Sequence, residues 1–128
     1  MLLDSTVLID VLRARPAAER LRRLRASSGP PWICAVNVEE VMRGLSSPEE
    51  LQSGQLLLHG LRIAPLGAAE GELAARWRRE HAAEGVTLGQ ADCLIAAAAV
   101  GVGARLATGN PKDFPMPGLE VEHWPVGA

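Results

Sequence analysis

The segment LGQADCLIAAAAVGVGARLATGNPKDF, Leu88 to Phe114, is the part of the chain from which the architecture is read. Thr87-Leu-Gly-Gln90 matches a capping box, in which two side chains close the first helical turn reciprocally, so a helix is predicted from about Leu88 to Val100. Gly101 and Gly103 end it, because glycine tolerates the left-handed backbone that commonly follows a last turn. Arg105–Thr108 then reads as a strand, and Asn110-Pro-Lys-Asp113 as ordinary turn chemistry on its carboxyl side. Leu94, Ile95, Ala96 and Ala97 mark the helix as largely buried, yet Asp92 lies in its first turns. A carboxylate in such surroundings must be paired or metal-bound to offset its desolvation. A favourable place in the helix dipole is the competing explanation.

The same alternation of strand and helix extends through the rest of the chain. Met1–Asp4 reads as a buried strand running into a helix over Ser5–Arg13, with Ser5 or Thr6 as its N-cap. Pro16 opens a second helix to about Ala26, broken by the Ser-Ser-Gly-Pro-Pro turn. Trp32–Ala35 is a second strand, followed by a helix from about Val36 to Leu45 whose apolar stripe is Val38, Val41, Met42 and Leu45. Further segments are a helix from Pro48 to Gly60, a strand at Leu61–Pro65, a long helix over Gly67–Glu84 and a fifth strand at Leu119–Glu122. Strands separated by helices pair in parallel through right-handed crossovers. The expected fold is therefore α/β, a three-layer α/β/α sandwich with a central parallel sheet, as one domain over residues 1–128. In such sheets ligands collect at the carboxyl ends of the strands.

Composition narrows the function. A chain of 128 residues suits one compact core. A net charge of −2 gives it no overall polybasic character. Arg13, Arg15, Arg20, Arg22, Arg23 and Arg25 nevertheless crowd one stretch, where they suit phosphate contacts or simply form a solvated helix face. No apolar run approaches the roughly 20 residues that span a bilayer, and Asp4 interrupts any leader-like start, so a cytoplasmic protein without membrane association is expected. Cys34 and Cys93 form no CxxC pair and read as buried free thiols. His59, His81 and His123 share no motif, which argues against zinc ligation or a histidine base. With one Phe and no Tyr beside them, Trp32, Trp77 and Trp124 read as core.

Acidic residues remain as the chemistry-bearing set. Asp4 ends the first strand, where it either faces the crevice or caps the helix. Glu40 shares a helix face with Asn37 and Gly44, opposite the apolar stripe, and periodicity alone does not choose between it and Glu39. Asp113 follows strand four. If strands one and four are neighbours, Asp4, Asp92 and Asp113 converge, and carboxylates so crowded are tolerable only with a divalent cation. Oxygen-only sets suit Mg²⁺ or Mn²⁺, which acidify a bound water and polarise a phosphoryl oxygen.

These residues resemble the PIN-domain family, specifically the VapC-type toxin ribonucleases of bacterial toxin–antitoxin pairs. LLDSTVLIDVL resembles its first-strand motif, with Asp4 as first acid and Asp10 a frequent companion. Asn37-x-x-Glu40-x-x-x-Gly44 resembles its Thr/Ser-x-x-Glu-x-x-x-Gly helix, with Asn37 in place of the hydroxyl residue, and favours Glu40. Asp92 before Ile-Ala-Ala and the Thr-x-Asn-x-x-Asp-Phe element, Thr108 to Phe114, are the most specific matches, and Cys93 departs from the commoner Ala. The resemblance implies endonucleolytic cleavage of RNA at an Mg²⁺ or Mn²⁺ site. It also implies a homodimer, and a small antitoxin whose C-terminal segment covers the active cleft. Asp4, Asp92 and Asp113 would hold the metal directly or through water. Glu40 would complete the shell or orient the attacking water, making these four the catalytic set. Thr108 and Asn110 would support the acids, and Thr6 would contact bound water or phosphate or merely cap the helix. Asp10 is an outer candidate or the end of the helix's polar face.

Two other functions compete. A phosphoacceptor or phosphatase domain would want paired acids at the first strand's end and a lysine after a later strand; Asp4 stands alone there and Lys112 is the sole lysine. A catalytically silent PIN-like module binding RNA or protein is the alternative within the same fold, and all four acids are present to argue against it.

Overall fold

The computed structural model describes residues 1–127. In chain order its elements are β1 (Leu2–Leu3), α1 (Ser5–Leu12), α2 (Pro16–Ser28), β2 (Trp32–Ile33), α3 (Ala35–Arg43), α4 (Pro48–His59), β3 (Arg62–Ile63), α5 (Ala68–Ala83), α6 (Gln90–Gly101), β4 (Leu106–Thr108), a 3-10 turn (Pro111–Asp113) and β5 (Val121–His123). All strands pair in parallel in the order β3-β2-β1-β4-β5. This is the expected three-layer sandwich, with β1 and β4 adjacent.

Because successive side chains of a strand point to opposite faces, each central strand feeds two cores. Leu2 and Leu106 join Trp77 of α5 and Ile95 to Ala99 of α6 on one face. Leu3, Ile33 and Ala107 join Val7 and Leu8 of α1, Leu21 of α2, Val41 of α3 and Leu58 of α4 on the other. Trp77 and Trp124 are core, as expected. Trp32 is only half-buried, with the Arg62 guanidinium stacked 4.2 Å from its ring centre. Both cysteines are buried and free, and burial pushes their thiols up, away from reactivity. Among the described residues no helix is long and apolar enough to cross a membrane.

Strands are shorter than expected, at two or three residues each. Helix caps depart further. α1 is capped at Asp4 by extended backbone, and Ser5 and Thr6 lie inside the helix. α6 starts at Gln90 with Gly89 as its cap, so Thr87 and Gln90 do not form the expected box. A reciprocal box does form at α4, where Glu50 N donates to Ser47 Oγ and Ser47 N to Glu50 Oε1, each 3.1 Å.

The arginine-rich stretch is partly structural. Arg20 reaches Glu122 at 3.3 Å and lies 4.6 Å over the Trp124 ring, tying α2 to β5. Arg22 pairs with Glu19.

Asp10 does not end an exposed polar face of its helix. It is 3 % exposed, and its carboxylate accepts from Ala17 N in the first turn of α2 (3.1 Å) and from Gly127 N (2.9 Å). One acid thus pins α2 and the C-terminal tail to α1. Leaving buried donors unsatisfied costs about 1–3 kcal/mol. Asp10→Ala should lower the unfolding free energy by that amount in denaturant titrations, with Asn, which keeps one acceptor, costing less. An unchanged midpoint for Asp10→Ala would remove this role.

Candidate active site

β1 and β4 pair with Leu3 beside Ala107, which brings the next residues, Asp4 and Thr108, side by side at the sheet's carboxyl edge. Thr108 Oγ1 donates to Asp4 Oδ2 at 2.8 Å, and Thr6 Oγ1 donates to the same oxygen at 2.9 Å. Each hydroxyl is itself fixed from behind: Gly109 N donates to Thr6 (3.0 Å) and Asn110 N to Thr108 (3.0 Å). Asp4 Oδ1 has no protein donor among the described residues. Thr6 is therefore a support for the acid and not a cap.

Asn110 Nδ2 donates to Asp113 Oδ2 at 2.9 Å, which holds the exposed acid of the turn. The turn is shaped by a close approach behind it. A Cβ on Gly109 would lie 2.6 Å from Val126 Cγ2, so only glycine lets the tail seat there.

Glu40 and Glu39 are separated by their partners. Glu39 is exposed and pairs with Arg43 at 3.3 Å. Glu40 is half-buried and accepts from Ser5 Oγ at 2.7 Å. Asn37, on the helix face it shares with Glu40, is fully buried, accepting from Cys34 N and donating to Ser5. Ser5 was legible only as a cap candidate; its reach to a glutamate 35 residues away required the β1–β2 pairing.

Asp92 occupies the first turn of α6, where the helix N-terminus favours negative charge. Burial nonetheless pushes its carboxyl up to about 6, with the negative charges of Asp113, Asp4 and Glu40 adding to the effect. The charges of three acids from separate segments of the chain thus reach Asp92. Among the described residues none of them has a Lys, Arg or His in ion-pair contact. Also among those residues, no three Asp, Glu, His or Cys side chains stand close enough together to hold a metal ion as they are placed. An open all-oxygen set without a counter-cation fits a hard divalent ion that keeps several of its waters. A soft ion that needs a complete thiolate or imidazole cage would not suit it.

Residues 1–115 match the family model described as the PIN domain. The chain is 33% identical over 120 residues to Ribonuclease VapC10 of Mycobacterium tuberculosis, covering 91% of this chain and 86% of that protein. Ribonuclease VapC19 of the same organism is 30% identical over 138 residues, covering 90% and 92%. A chain in the crystal structure of VapBC2 from Rickettsia felis bound to a DNA fragment from their promoter superimposes with a TM-score of 0.82 at 26% identity, covering 96% of this chain and 97% of that one.

The raised Asp92 value sets a pH signature. An acid with a higher pKa in the folded state than its ordinary 3.8 binds its proton more tightly when folded. Its ionisation therefore costs stability in full above about pH 6, and the cost fades as pH falls toward 3.8. In metal-free protein Asp92→Asn should raise Tm at pH 7.5 and raise it less at pH 4.5. An equal gain at both values would place the Asp92 carboxyl outside the shared field.

Proposed function

The chain belongs to the PIN-domain family, and from that premise we propose that it is a Mg²⁺- or Mn²⁺-dependent endoribonuclease, the toxin of a toxin–antitoxin pair. What supports the proposal is that the charges of Asp113, Asp4 and Glu40 bear on Asp92, while none of the four acids makes an ion pair with Lys, Arg or His among the described residues. The ribonuclease names of the two mycobacterial relatives support the substrate. The toxin–antitoxin complex from Klebsiella pneumoniae, 28% identical with a TM-score of 0.74, supports the partnership.

On this reading Asp4, Asp92 and Asp113 bind the ion. When bound, the ion supplies a water acidified toward neutral pH and polarises a phosphoryl oxygen. Thr6 and Thr108 hold Asp4 through Oδ2 and so keep Oδ1 for the ion. Asn110 orients Asp113. Glu40 stands free of any positive side chain and orients the attacking water. Asp92 would have to be ionised to serve as a ligand, so metal affinity would rise with pH through about 6. The protein works in the cytoplasm as a homodimer, and a small antitoxin silences it by covering the cleft.

Purified without antitoxin, the protein should cleave RNA with Mg²⁺ or Mn²⁺ and stop on chelation. Asp4→Ala and Asp92→Ala should each lose about 100-fold or more in cleavage rate while keeping a cooperative melt. Undiminished cleavage in both would assign the activity to another site or a contaminant. Intact folding with no cleavage by the unaltered protein would favour a silent binding module.

A further inference from the structure

Ser5 neither caps α1 nor contacts Asp4, yet its hydroxyl is the one protein donor to Glu40 among the described residues. Behind it lies a chain of buried bonds whose direction is fixed. Cys34 N can only donate, so Asn37 Oδ1 must be the atom that accepts from it, at 2.8 Å. That leaves Asn37 Nδ2 to face Ser5, where it donates to Oγ at 3.1 Å. With the amide proton arriving at Oγ, the single hydroxyl proton goes on to Glu40 Oε1 at 2.7 Å. Asn37 is fully buried and Ser5 is 7 % exposed, so water does not offer either an alternative partner at low cost.

We propose that Asn37 and Ser5 form a one-way hydrogen-bond relay that fixes the Glu40 carboxylate, making both of them positioning residues of the acidic site. The relay cannot reverse, because turning the amide over would set its NH₂ against the Cys34 N–H. The departure from the family pattern at position 37 acquires a purpose here: an amide presents an acceptor and a donor on two separate atoms, whereas a hydroxyl has one. The relay engages Oε1, and Oε2 has no protein partner among the described residues. Glu40 is thus aimed without a cation, whose charge would compete with an incoming metal ion.

The inference rests on the reading of Glu40 as a site acid, and its test separates the two. Asn37→Asp keeps the side-chain shape but turns the Ser5-facing atom into an acceptor, so the hydroxyl proton is contested. Ser5→Ala removes the donor. Crystal structures of both metal-free variants should show the Glu40 carboxylate displaced from its place against residue 5. In steady-state RNA cleavage with Mn²⁺, each variant should lose about tenfold in kcat, the scale of an orienting partner, with KM for RNA unchanged. In a Glu40→Gln background Ser5→Ala should add no further loss, since the two act through one group. An unmoved Glu40 carboxylate in both variants, or a Ser5→Ala loss as large in the Glu40→Gln background as in the unaltered protein, would overturn the relay. If the unaltered protein cleaves no RNA, the proposed activity falls, while the carboxylate position still decides the relay.

Discussion

The pairing of β1 with β4 is the constraint on which the rest depends. Two strands of two and three residues are joined in parallel across almost the whole chain, and their register sets Asp4 against Thr108, 104 positions away. The pairing is held by burial on both faces, Leu2 and Leu106 toward α5 and α6, Leu3 and Ala107 toward α1 to α4. A slip of one residue would exchange the two cores, so the register is strongly specified. The acidic site inherits that precision, because Asp4 and Thr108 follow the last paired residues directly.

The four acids are handled in different ways, and the difference explains their electrostatics. Asp4 takes two hydroxyl protons, Glu40 one hydroxyl proton and Asp113 an amide proton. Asp92 takes no side-chain hydrogen bond among the described residues, and it is the acid whose carboxyl is pushed up to about 6. Neutral donors orient the acids without cancelling their charge, which keeps the field available for a cation. An Arg or Lys in the same place would have stabilised the metal-free protein and blocked the site.

Much of this was legible in the sequence. The order of helices and strands followed from periodicity and turn residues, and the adjacency of β1 and β4, on which any convergence of Asp4, Asp92 and Asp113 was conditional, is present. Cap chemistry was less legible: Thr87-Leu-Gly-Gln90 has the right residue types, yet the chain enters α6 through Gly89, and a box motif fixes composition without fixing entry angle. The surroundings of Asn37 stayed open for a related reason. Helical spacing sets it on the face of Glu40 but says nothing of which neighbour covers the first turn of that face. Ser5 and Asp10 were unreadable, since their partners, Glu40 and Gly127, lie far off in sequence and only tertiary pairing brings them near.

Gly109 and Val126 show how far the site extends behind its visible residues. The tail leans on the turn after β4, filling the space that a side chain at position 109 would need, and Asp10 anchors the same tail from the far side. The scaffold that aims Thr6 and Thr108 at Asp4 is thus buttressed by residues that carry no chemistry at all. Insults to this back wall, whether a shortened tail or a methyl added at Gly109, would blunt the acidic crevice while leaving each of its acids in the sequence.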